Sequence, residues 1–300
     1  MLKREDIQIR DPSILKVCSE KKYYLYGTTD KNCWGAGATG FNAYSSEDLE
    51  NFDGPFEVFH PSKDFWATHN FWAPEVYHYN NKYYMFASFK ADGVCRGTQI
   101  LVSDSPKGPF VPWSDRQVTP LDWECLDGTL FVDEKKQPWM VFAREWLQVY
   151  DGEMWVIKLT KDLKRADGEP VLLFSASKAS WCRGAVHDFT IDGVNTLKKV
   201  YVTDGPFVYK AENGELLMLW SSGGEQGYAM GVARSTSGNI VGPWVHDTDP
   251  LYFKDGGHGM IFKTFEGNAM LTIHTPNKTP TEHPVFLNLY EDNGKLFLNS

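Results

Sequence analysis

Trp72–Ser88 reads WAPEVYHYNNKYYMFAS. A small residue and a proline open a short apolar strand, Asn80-Asn81-Lys82 supplies a turn, and a second strand rich in Tyr, Met and Phe returns. The pattern recurs along the chain. Its first strands are DPSILK from Asp11, APEVYHY from Ala73, DGTLFVD from Asp127, DGPFVYK from Asp204 and HGMIFK from His258. Its second strands are YYLYG from Tyr23, YYMFAS from Tyr83, PWMVFAR from Pro138, LLMLWSS from Leu216 and AMLTIHT from Ala269. With positions 11, 73, 127, 204 and 258 taken as equivalent, the spacings are 62, 54, 77 and 54 residues, the length of a four-stranded blade with its loops. Segments from Ser46, Ser103 and Ser235 each end in Gly-Pro-aromatic and read as outer strands of the first, second and fourth units.

Five such units predict an all-β fold, a five-bladed β-propeller, with blades near 10–65, 66–120, 121–180, 200–250 and 251–300. A β-sandwich would not need the repeat, and a β-helix would repeat at shorter spacing. One domain over 1–300 with no accessory domain is expected. Aromatic residues at 15% suit strands and sugar-binding surfaces. A net charge of −9 disfavours nucleic acid as a partner, and no apolar run is long enough to span a membrane. The five cysteines are scattered without a CxxC pair, and the N-terminus lacks an apolar signal core, so a cytoplasmic protein with reduced thiols is expected. GAGATG, residues 35–40, matches a dinucleotide-binding pattern but is not followed by a helix pattern, and it reads as a rim loop.

In a propeller the first strands line the central channel and their starting ends open on one face. Asp11, Asp127 and Asp204 are therefore expected on one rim with Ala73 and His258, joined by Thr28, Arg144, Glu145, Ser221 and His274 from the ends of second strands. One aspartate beside Gly or Pro is ordinarily a turn cap. Three converging on a channel repel one another, and such a cost at a cleft points to catalysis or a cation. Two carboxyl groups across an aromatic-walled pocket suit glycoside hydrolysis, one protonating the leaving oxygen while the other activates water or attacks the sugar. A third can raise the pKa of the acid.

At these residues the sequence resembles family 43 of the glycoside hydrolases, five-bladed propellers that include arabinanases, α-L-arabinofuranosidases and β-xylosidases. The resemblance rests on RDPSIL with YYLYGT, SSEDLENF, WAPEVYHYNNKYYMFAS, DGTLFVDEKKQPWMVF, and TDGPFVYK followed by LLMLWSS, in the family's order. It implies Asp11 as general base, Asp127 as pKa modulator and Asp204 as general acid, with inversion at the anomeric carbon. It also implies Trp72 against the sugar and His258 at the channel centre, where some members bind calcium through water; no cofactor is otherwise required. Trp34 and Arg144 are further candidates for substrate contact. The family usually has Glu-Gly-Pro at the acid position, where this chain has Asp204-Gly205-Pro206. The lost methylene shortens reach by roughly 1.5 Å. Three outcomes stand open: Asp204 serves directly, Glu225, Glu145 or Asp188 replaces it, or hydrolysis is lost and a noncatalytic carbohydrate-binding propeller remains. The expectation is an exo-acting α-L-arabinofuranosidase-like enzyme on short arabinose- or xylose-containing oligosaccharides. Alternatives are β-xylosidase and β-galactosidase.

Overall fold

The computed structural model describes residues 1–298, and in it the repeated strand pairs form five antiparallel sheets around a central channel, a five-bladed β-propeller. The innermost strands are Arg10–Val17, His69–Tyr79, Cys125–Val132, Asp204–Lys210 and Gly257–Lys263. Each pairs with the next strand in sequence, and two more strands follow outward. Among the described residues blade 1 alone gains a fifth strand, Leu2–Lys3, on the edge of Asn51–Phe59.

The abundance of aromatic residues follows from this radial layout, because adjacent blades diverge and large side chains fill the wedges between them. Each of the five blade joints has its own apolar cluster. Phe41, Phe59, Phe71 and Phe89 join blades 1 and 2; Phe86, Met140 and Phe142 join blades 2 and 3. Val141, Met154, Met218 and Trp220 join blades 3 and 4; Leu217, Leu219, Ile261 and Leu271 join blades 4 and 5. Ile7, Ile9, Leu25, Phe262 and Phe286 close the ring between blades 5 and 1. Each fully buried side chain of this size stabilises by about 1.5–3 kcal/mol. Closure is reinforced where the Ile9 N–H donates to the Glu282 carbonyl, 3.3 Å away.

The channel ends of the blades carry a bulge that corrects one expectation. In every blade the register of the first and second strands shifts at the channel end, after the first pair in blades 1, 4 and 5 (Arg10 with Thr28, Asp204 with Ser221, Gly257 with His274) and after the second pair in blades 2 and 3 (Trp72 with Ser88, Leu126 with Ala143). The residue that follows this pair has a left-handed backbone: Asp11 (φ 53°), Ala73 (48°), Asp127 (56°), Gly205 (51°) and His258 (43°). The equivalent position in blade 4 is thus Gly205, not Asp204. Asp204 occupies the position before the bulge, equivalent to Arg10, Trp72, Leu126 and Gly257. The three aspartates do not share one repeat phase; two sit on the bulge and the third precedes it. Bulges re-aim side chains, and a left-handed conformation is strained for residues other than glycine. Gly205 is needed for a second reason, since a Cβ there would lie 2.6 Å from the His258 ring.

Between blades 3 and 4 the chain inserts a two-stranded ribbon, Ala185–Ile191 with Val194–Val200. Its His187 and Phe189 pack edge-on against Trp146, and Phe189 also meets Tyr150, which seats the ribbon beside the rim of the channel.

Candidate active site

The bulged ends surround a funnel of about 510 Å³ lined by Asp11, Asp127, Asp204, His258, Trp34 and Trp72, together with Arg10, Arg96, Glu145, Trp146 and Tyr228. A larger cleft of about 740 Å³ lies between the outer parts of blades 4 and 5, but Arg234, its central cation, is already paired with Asp247 and Glu215. The funnel gathers the carboxyls.

Asp11 is buried. Its Oδ2 accepts the Thr28 hydroxyl at 2.7 Å, and its Oδ1 lies 3.1 Å from His258 Nδ1. Burial pushes its carboxyl up, but His258 and Arg10, with His274 and the Thr28 hydrogen bond, hold it below the ordinary value. His274 is pushed down to about 4 by burial and is a neutral imidazole whose Nδ1 accepts the Asp11 N–H at 3.1 Å.

Asp127 and Asp204 are displaced the other way. Burial and the Asp11 charge push Asp127 up to about 8; burial and the Asp127 charge push Asp204 up to about 7. The two titrate as a coupled pair that keeps a proton near neutral pH. Asp127 Oδ2 accepts the Gly205 N–H at 3.0 Å and lies 3.6 Å from His258 Nδ1. Asp204 Oδ2 accepts the Tyr228 hydroxyl at 2.9 Å. One channel therefore holds an ionised carboxylate and a protonated carboxyl, the division of labour that acid–base hydrolysis needs.

The wall is aromatic and cationic. Trp72 and Trp34 meet edge to face at 5.3 Å, the Arg96 guanidinium lies 4.1 Å over the Trp72 ring, and that of Arg10 lies 4.9 Å over Trp34. Arg96 is ion-paired with Glu145 and donates to Asn70 Oδ1 at 3.2 Å. Arg10 donates to Asn277 Oδ1 at 2.8 Å and faces Glu282 at 3.5 Å.

Of the residues expected at the site, Asp11, Asp127, Asp204, His258, Trp34 and Trp72 come together. Arg144 does not. Its guanidinium lies 4.1 Å over Trp123 and 3.7 Å from Glu153, on the side away from the funnel, while the next residue, Glu145, turns inward. Successive strand residues face opposite ways, and the inward place falls to Glu145. Among the substitutes considered for the acid, Glu225 is exposed in a hairpin turn, Asp188 is exposed on the inserted ribbon, and Glu145 is bound to Arg96. Arg96, Trp146 and Tyr228 also line the funnel, and the sequence pattern does not mark them. They come from the third strand of blade 2, a short helix between the second and third strands of blade 3, and the third strand of blade 4, none marked by the repeat. Among the described residues no group of three or more His, Cys, Asp or Glu side chains is disposed to ligate a metal.

The model of glycosyl hydrolases family 43 matches residues 6–294. The chain belongs to that family. The crystal structure of an endo-arabinase from Bacteroides thetaiotaomicron VPI-5482 is 42% identical, covers 98% of this chain and 99% of its own, and superposes with a TM-score of 0.87. A solved endo-1,4-beta-xylanase from the same organism is 25% identical over 98% of this chain and 95% of its own, with a TM-score of 0.73. The extracellular endo-alpha-(1->5)-L-arabinanase 1 of Bacillus subtilis (strain 168) is 23% identical and covers 80% of this chain and 81% of its own length. That relative is extracellular by name, which overturns the cytoplasmic expectation: scattered cysteines and a plain N-terminus do not fix a compartment. The family 43 chain is an inverting glycosidase related to arabinan-degrading enzymes.

Proposed function

We propose that this family 43 enzyme hydrolyses α-1,5-linked arabinan, with Asp11 as general base, Asp204 as general acid and Asp127 as the carboxyl that keeps Asp204 protonated. The observation that carries the proposal is the opposed ionisation of Asp11 and Asp204 in one aromatic-walled funnel. Asp11 takes a proton from water as the water oxygen attacks the anomeric carbon. Asp204 gives its proton to the departing glycosidic oxygen, and the configuration inverts. Tyr228 holds the Asp204 carboxyl, and the glycine after it lets this segment approach the His258 ring as closely as backbone permits, which supports the shorter acid in its role.

Arabinan is favoured by the similarity to the endo-arabinase and the endo-arabinanase. A cytoplasmic enzyme would meet short imported fragments rather than polymer, and with that location overturned the exo-acting expectation loses this support. Cleavage within the chain is favoured because the walls run outward to exposed apolar residues over two blades, Trp34 at 58% and Leu147 at 41% exposure. On linear α-1,5-arabinan the early products are expected to be a ladder of oligosaccharides, read by chromatography. Arabinose alone from the first time point would make the enzyme exo-acting, and turnover only of xylo-oligosaccharides would replace the substrate.

A calcium ion held through water beside His258 belongs to the same proposal. His258 Nδ1 points at Asp11 and Asp127, so it is not free as a ligand there, and the ion would touch the protein through water. A chelator is expected to lower the melting temperature and added calcium to restore it; no change with either removes the ion.

A further inference from the structure

The ribbon inserted between blades 3 and 4 and the one-turn helix of blade 3 brace each other at the mouth of the funnel. The helix, Trp146–Val149, has no buried residue and is too short to hold its own shape. Its start is tied to the neighbouring loop, where the Glu145 N–H donates to the Glu124 carbonyl at 2.8 Å and Gln148 Nε2 donates to the Asp122 carbonyl at 3.0 Å. Its end is tied to the chain leaving the ribbon: the Tyr201 N–H donates to the Tyr150 carbonyl at 2.8 Å and the Gly152 N–H to the Tyr201 carbonyl at 2.9 Å. The ribbon is a hairpin paired from Ala185 with Val200 to Ile191 with Val194, and a two-stranded hairpin alone is marginal in water. His187, Phe189 and Lys198, the cross-strand partner of His187, share one face of it. That face meets the helix. The His187 and Phe189 rings lie 4.9 and 6.0 Å from Trp146, Phe189 lies 5.2 Å from Tyr150, and the Lys198 ammonium lies 5.4 Å over the Tyr150 ring.

Trp146 stands higher on the wall than the carboxyls. Ala143 pairs with Leu126, the residue before the Asp127 bulge, and Arg144 pairs with Cys125; Glu145 is still extended, and Trp146 follows it. Three extended residues beyond Ala143, at about 3.3 Å each, put Trp146 up to roughly 10 Å outward of the bulge. It nevertheless lines the funnel, whereas Trp72 sits immediately before its own bulge, level with the carboxyls. We propose that Trp146 carries a sugar residue of the bound chain beyond the two that flank the cleaved bond, and that the ribbon is the positioning element that holds it there through His187 and Phe189. This rests on the polymer-cleaving reading above. A ring fixed before the chain arrives loses less freedom on binding than a loose one, so the ribbon contributes affinity for long chains and nothing to the rate at the reacting bond.

The test is chain-length dependence. His187 is exposed and Phe189 half-buried on a ribbon outside the blades, so His187→Ala with Phe189→Ala leaves the propeller folded. On linear α-1,5-arabinan this double variant is expected to raise KM by about 5–10-fold, the size of lost edge-to-face contacts, with kcat within about twofold of the unaltered enzyme. On the 2,4-dinitrophenyl arabinofuranoside, too short to reach Trp146, both constants should be unchanged. A fall in kcat on both substrates, or the same rise in KM on both, would overturn the inference. His187→Phe with Phe189→Tyr, which keeps both rings, should retain the original KM on arabinan; a loss equal to that of the alanine variant would remove the rings from the account. In a Trp146→Ala background the two alanine substitutions should raise KM on arabinan by less than about twofold, and a full further rise would mean that the ribbon acts without Trp146. Turnover of xylo-oligosaccharides in place of arabinan would strike the proposed substrate, and the same comparison of polymer with aryl xyloside would then decide the role of the ribbon.

Discussion

Asp11→Asn and Asp204→Asn are each expected to lower kcat on linear arabinan by about 10²–10⁴-fold, the usual contribution of a positioned base or acid. They separate on an aryl arabinofuranoside with an activated leaving group. Such a group departs without a proton, so Asp204→Asn should regain most of its rate there, whereas Asp11→Asn should not, because water still needs its base. The measurement is kcat for both variants on linear arabinan and on the 2,4-dinitrophenyl glycoside. An equal loss for Asp204→Asn on both substrates would take the acid role away from Asp204. The comparison bears on the missing methylene at this position. Glu225 and Asp188 do not reach the funnel, and Glu145 is committed to Arg96.

Asp127→Asn is expected to stabilise the protein at pH 8 while abolishing most turnover. Asp127 and Asp204 ionise freely in the unfolded chain near the ordinary carboxylate value, but in the folded protein they hold protons up to about 8 and about 7. Their contribution to stability is fully present below pH 4 and is lost as pH rises through the folded values. Asp11 has the opposite sign, its contribution being lost only in acid. His274 and His246, both pushed down to about 4 by burial, lose stability as pH falls below about 6.5, so they do not mask the carboxyls above that value. The melting temperature should therefore fall from pH 6.5 to 8, and Asp127→Asn should flatten the fall. The gain at pH 8 should be about 1–4 kcal/mol, the range seen when buried ion pairs are replaced by uncharged side chains. A slope unchanged in Asp127→Asn would mean that Asp127 is ionised throughout.

The propeller was legible because its blades repeat: WAPEVYHY and YYMFAS announce the same two strands as DPSILK and YYLYG, and aromatic residues mark the wedges between blades. The site was legible as far as the repeat carried it. Asp11, Asp127 and His258 sit on the bulge and Trp72 just before it, so their positions followed from spacing. Asp204 reads from sequence one residue out of phase, since Asp-Gly-Pro looks like the Asp-Pro and Asp-Gly starts of other blades although the left-handed residue is Gly205. Arg144 reads from sequence as funnel-facing because the choice between the funnel and Trp123 is made by strand alternation at the very end of the strand. Arg96 and Tyr228 enter from third strands, where nothing in the local sequence distinguishes a funnel-facing residue from a packed one.

The most direct test is the configuration of the first-formed product. With Asp11 delivering water opposite the bond that Asp204 protonates, hydrolysis of linear α-1,5-arabinan followed by proton NMR from the first seconds should show a new reducing end in the β configuration, relaxing to the equilibrium mixture. A first product in the α configuration would contradict the assignment of Asp11 as base and Asp204 as acid.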